Sequence, residues 1–87
     1  MYFVYILQSL KDGKLYVGYT NNLKRRFFEH NRGLIKITKW RRPFKLIFYG
    51  AFLNQQDATA REKYFKTDWG RKYLKKILRN YFNKLPP

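Results

Sequence analysis

The chain of 87 residues contains no cysteine, which removes disulfides, thiolate metal sites and cysteine nucleophiles at once. It has one histidine, so a histidine-rich metal centre is excluded as well. Acidic residues are scarce: five Asp and Glu stand against 20 Lys and Arg, a formal net charge of +15. There is no internal repeat, low-complexity tract or linker. The opening MYFVYIL has no basic leader, is too short for a signal core and runs into a turn, so neither export nor a membrane span is expected and the cytoplasm is the expected location.

Hydrophobic residues make up 45% of the chain and aromatics 21%, so a folded core is expected despite the charge. Its length allows one such core, and a single domain is expected over residues 1–83 with a tail at 84–87. An excess of positive charge this large repels itself unless a polyanion lies nearby. Nucleic acid fits best, because phosphates attract clustered Lys and Arg while interleaved Tyr, Phe and Trp stack on unpaired bases. The charge alone leaves DNA and RNA equally open, and an anionic membrane surface would attract it too, although no membrane partner is expected.

Tyr2 to Gln8 reads as a strand buried on both faces, and Asp12-Gly13 as a hairpin turn returning through Leu15 to Tyr19. Thr20-Asn21-Asn22 supplies caps for a helix through His30 or Asn31, ended by Gly33. Residues 34–43 read as an exposed basic loop, and Phe44 to Phe52 as a third strand. A second helix follows an Asn54 cap to about Thr67, Gly70 breaks it, and a third runs from Arg71 to about Tyr81. The expected class is α+β, a small three-stranded antiparallel sheet flanked by helices in the order β-β-α-β-α-α.

Arg26 and His30 lie four apart and share a helix face, where a solvated basic face is the plainer alternative to a site. Glu62 is set by helical spacing beside Ala58 and Phe65, on an otherwise apolar stripe, so its carboxylate needs a partner: an arginine or a divalent ion. Tyr5 and Tyr16, on the two strands of the hairpin, read equally well as core. Gly18 marks either a close backbone approach or a strand irregularity.

Together Phe3-Val4-Tyr5, Tyr16-Val17-Gly18, Arg26, His30 and Glu62 resemble the pattern of the GIY-YIG nuclease family, in which the two tyrosines stand eleven residues apart and Arg and His follow the motif glycine by eight and twelve. The likeness covers essentially the whole chain and is strongest to short, free-standing bacterial members, which also carry stretches like RRPFKLIFYGAF and GRKYLK.

The resemblance implies a metal-dependent endonuclease for DNA, structure-selective or weakly sequence-specific, working in DNA repair or processing. It implies Glu62 on Mg²⁺ or Mn²⁺, Arg26 on the phosphate, and water activation by Tyr5, Tyr16 or His30. Phe3 replaces the first motif glycine, Tyr19 stands where some relatives carry a Lys, and Asn80 is the candidate for a late asparagine. Trp40 with Lys36, Lys39, Arg41 and Arg42 is the expected substrate contact, a solvated loop being the alternative. The chain shows no appended base-reading module, so recognition by DNA shape is expected. A fold that has kept nucleic-acid binding and lost catalysis explains the charge equally well.

Overall fold

The computed structural model describes residues 1–84; residues 85–87 of the expected tail lie outside the described residues. Three strands, β1 (Tyr2–Ser9), β2 (Leu15–Thr20) and β3 (Phe44–Phe52), form one antiparallel sheet in the order β2-β1-β3. The hairpin turn uses Gly13 at φ 74, a backbone conformation open to glycine without strain.

β1 is the central strand, and side chains along a strand alternate between faces. Val4 and Ile6 pack with Ala58, Phe65 and Leu74 on one side, while Tyr5 and Leu7 pack with Phe44, Tyr16, Leu23, Phe27 and Leu46 on the other. Both faces are therefore covered, which is why β1 reads as an unbroken apolar run. Burying Phe65 or Leu74 completely stabilises the fold by roughly 1.5–3 kcal/mol each.

Helix α1 (Leu23–Asn31) begins where the Asn22 side chain accepts the Arg25 N–H at 3.1 Å, and turns Leu23 and Phe27 toward the sheet. Helix α2 (Gln55–Phe65) starts from Asn54, whose side chain accepts the Gln56 N–H at 2.8 Å, and carries Asp57 in its first turn. Helices α3 (Asp68–Ile77) and α4 (Arg79–Asn83) complete the described chain.

Three boundaries differ from the sequence expectation. α2 ends at Phe65, and α3 begins at Asp68, three residues before Arg71. Gly70 does not break a helix; it lies inside the first turn of α3, where Thr67 accepts its N–H at 3.1 Å. A Cβ at Gly70 would sit 1.9 Å from the Tyr64 carbonyl oxygen, so glycine is needed there for α3 to close against the end of α2. The expected third helix is also interrupted at Leu78, and Tyr81 belongs to α4, where its hydroxyl donates to Gln8 Oε1 on β1.

The basic segment 34–43 is likewise not uniformly exposed. It contains a 3₁₀ turn at Lys39–Arg41, and Thr38 within it is fully buried.

Candidate active site

The site is built on the α1 side of the sheet. Tyr5 is buried on β1 and pairs across the sheet with Gly18 on β2. A Cβ at Gly18 would lie 2.3 Å from both the hydroxyl and the ζ carbon of Tyr5, so the missing side chain is the space the ring occupies. Gly18 therefore marks a close approach, of side chain onto backbone.

The Tyr5 hydroxyl lies 2.9 Å from His30 Nε2, and His30 Nδ1 lies 2.8 Å from the Thr38 hydroxyl. Thr38 in turn donates to the Ile35 carbonyl oxygen at 3.4 Å. With that proton committed, Thr38 accepts from His30 Nδ1–H, leaving Nε2 to accept from Tyr5 O–H, the one sense in which the chain closes. His30 is fully buried, so the plainer reading of it as part of a solvated helix face does not hold.

Tyr16 joins this group through its ring, 5.1 Å from the His30 ring and 6.4 Å from that of Tyr5 by centroid. It is only half-buried, whereas Tyr5 is closed off. Arg26, one helical turn before His30, bonds Glu29 at 3.5 Å and sits beside Tyr5.

Electrostatics fix the protonation of the cluster. Burial pushes the Tyr5 phenol up to about 12, an effect that the neighbouring Arg26 opposes without cancelling, while Tyr16 and Glu62 reinforce it. Burial also lowers His30 to about 4, and the Arg26 charge adds to the shift. Arg26 loses some of its preference for charge to burial, but Tyr5 and Glu29 more than restore it, and its guanidinium is held above the usual arginine range. At neutral pH the cluster is a phenol, a neutral imidazole and a fixed cation.

Glu62 approaches from α2. Its side chain is 22% exposed and pairs with Lys66 Nζ at 3.1 Å, and its charge is felt at Tyr5. The partner its position on the apolar stripe demands is thus a lysine one turn along. Among the described residues no three His, Cys, Asp or Glu side chains gather to form a metal cage. A single carboxylate does suit Mg²⁺, which keeps several waters and completes its shell with substrate phosphate oxygens.

Thus the structure brings Tyr5, Tyr16, Arg26 and His30 into one cluster, with Glu62 in electrostatic reach and tied to Lys66. A profile of the GIY-YIG catalytic domain matches residues 1–76. The chain belongs to the GIY-YIG nuclease family. Among its relatives, a UPF0213 protein of Clostridium perfringens is 46% identical over 67 residues, covering 76% of this chain and 71% of its own. A UPF0213 protein of Staphylococcus saprophyticus is 39% identical over 77 residues, covering 87% of this chain and 93% of its own. The solution structure of a UPF0213 protein from Bacillus halodurans superposes with a TM-score of 0.55 at 34% identity, over 88% of this chain and 85% of that one.

For a GIY-YIG chain the departure at Phe3 is readily accommodated: Phe3 packs edge-on against Tyr49, with centroids 6.2 Å apart, on the sheet. Asn80 is an exposed residue of α4. The basic segment divides by role. Trp40 is 73% exposed, with the Lys39 ammonium 4.8 Å from its ring, and Lys36 and Arg42 are exposed. Arg41 instead binds Asp12 at 3.1 Å and the Leu15 carbonyl at 3.4 Å, clamping the segment to the hairpin.

Thr38 is the member of the cluster that sequence reasoning missed. It sits in a basic, aperiodic stretch, and nothing local marks it as buried. No helix of the described residues is long and apolar enough to cross a membrane.

Proposed function

We propose that this chain is a divalent-metal-dependent endonuclease that hydrolyses DNA phosphodiester bonds, selecting substrates by structure more than by sequence, in DNA repair or processing within the cytoplasm. The observation that carries the reading is the convergence of Arg26, Tyr16 and the Tyr5–His30 pair on one face, with Glu62 close enough to influence Tyr5.

In hydrolysis a water oxygen forms a bond to phosphorus, the bond to one ester oxygen breaks, and that oxygen leaves with a proton. Arg26 is the fixed cation that neutralises the crowded phosphate. Tyr16 is the tyrosine that meets the attacking water, because it is half-buried while Tyr5 is sealed. Tyr5 and His30 hold the ring of Tyr16 and the approach of Arg26 in place through their hydrogen-bonded chain. Glu62 would hold Mg²⁺ or Mn²⁺, which supplies charge for the transition state and for the leaving oxygen. Lys36, Lys39, Trp40 and Arg42 guide the DNA, and Arg41 sets their segment in position.

The Glu62–Lys66 ion pair favours a second reading, a nucleic-acid-binding module that keeps the fold without catalysis, since Lys66 occupies the carboxylate. Incubating the protein with plasmid, flapped and branched DNA, with Mg²⁺ or with chelator, separates the two. Cutting only with metal supports the nuclease; binding without cutting on every substrate supports the module.

A further inference from the structure

Helix α3 carries an outer face that the fold does not use. Gly70 and Leu74 are its buried residues. Turning about the helix at about 100° per residue places Trp69, Lys72 and Lys76 on the opposite side. Trp69 is 75% exposed, the Lys72 ammonium lies 5.2 Å from its ring centroid, and Lys76 is exposed one turn beyond. Arg71 and Lys75 add two cations on the adjoining flank, and the only acid of α3 is Asp68 in its first turn.

An indole left in water costs solvation and contributes nothing to this core. Tyr73 and Ile77, 42% and 40% exposed, border the indole on the flank nearer the core, while Lys72 and Lys76 border it on the other, so a protein partner docking here would have to cover cations as well as apolar surface. The complementary ligand has anionic groups at regular spacing and a flat apolar face for the indole: a nucleic-acid strand with an unpaired base. Paired duplex offers phosphates but keeps its base faces stacked.

We propose that the outer face of α3 is a binding track for single-stranded DNA, in which an unpaired base stacks on Trp69 and flanking phosphates contact Lys72 and Lys76. From Trp69 to Lys76 the helix rises about 10 Å, room for roughly two or three phosphates. The track begins three residues after Lys66, the partner of Glu62. That a strand on this track reaches the Glu62 carboxylate rests on the nuclease reading, whereas the contact itself does not. The substrate class it implies is DNA with a single-stranded segment beside the cut, such as a flap.

The test uses Trp40→Phe, which leaves Trp69 as the sole tryptophan, titrated with a labelled oligo-dT strand in chelator so that no cutting intervenes. Tryptophan emission should be quenched in step with the anisotropy of the label, and a blunt duplex of equal length should quench little. Lys72→Ala with Lys76→Ala should weaken binding roughly fivefold or more and reduce the slope of log affinity against log salt by about 1.4. Trp69→Ala, its fold checked by circular dichroism, should weaken strand binding roughly tenfold. Anisotropy that rises with no change in Trp69 emission would overturn the proposal. So would equal quenching by duplex, or tighter binding of oligo-rU than of oligo-dT. Because cleavage is assayed separately, a protein that quenches but never cuts retains the track and loses the nuclease reading.

Discussion

Tyr5 fills the space above Gly18, its partner across the β1–β2 ladder, so closely that any side chain at residue 18 would occupy the position of the phenol ring. Gly18→Ala is expected to destabilise the protein by roughly 1–3 kcal/mol, the usual effect of overpacking, and to move Tyr5 off His30. Pairing it with Tyr5→Leu should recover part of the loss. A double-mutant cycle from denaturant melts reads this directly, and strictly additive effects would mean the two residues do not share the space.

His30 gives the fold an acid-sensitive element. An unfolded histidine takes a proton near 6.5, whereas the folded one resists until about 4. Below 6.5 the unfolded chain therefore binds more protons, and stability should fall with pH until the folded residue also titrates near 4. The loss is on the order of 3 kcal/mol at most. Melts of wild type and His30→Gln from pH 8 to 4 should diverge in this window; parallel curves would place the acid sensitivity elsewhere. Tyr5 acts at the other end, since its folded pKa of about 12 lies above the ordinary value of 10. Its stabilising contribution is intact below pH 10 and fades as pH rises toward 12.

The two tyrosines should separate by assay. Tyr5→Phe leaves His30 Nε2 buried without a donor and is expected to cost about 1–3 kcal/mol of stability. Tyr16→Phe should barely change the melt and reduce cutting by roughly a hundredfold or more, the range of a lost general base. If Tyr16→Phe cuts normally while a folded Tyr5→Phe does not, the assignment of roles reverses.

Within the basic segment, Arg41→Ala should lower stability more than DNA affinity, because its guanidinium is engaged by Asp12 and Leu15. Lys36→Ala and Arg42→Ala should do the opposite, each weakening DNA binding and lowering its salt dependence by nearly one unit. Melting curves and salt-dependent binding isotherms distinguish the two behaviours.

The sheet was legible because its signals are local: a long apolar run, an Asp-Gly turn and side chains able to cap helices. The ends of α2 and α3 were not, because Gly70 reads as a breaker in one dimension and is a contact with the Tyr64 carbonyl in three. Arg26 and His30 were visible as a pair on one helix face. The burial of His30 was not, since it depends on Tyr5 and Thr38 arriving from 25 and 8 residues away. Glu62 stood out as a carboxylate on an apolar stripe, yet spacing alone did not identify Lys66 as its partner. Tyr5 and Tyr16 were distinguishable from six other tyrosines only through the family pattern.

The most direct test of the account is single-turnover cleavage of a flapped DNA with Mg²⁺ by wild type, Arg26→Ala and Glu62→Gln, with binding measured in parallel in chelator. The account predicts metal-dependent cutting by wild type, loss of roughly a hundredfold or more in both variants, and DNA affinity within a few-fold of wild type for Glu62→Gln. Undiminished cutting by Glu62→Gln, or cutting by wild type that persists in chelator, would contradict it.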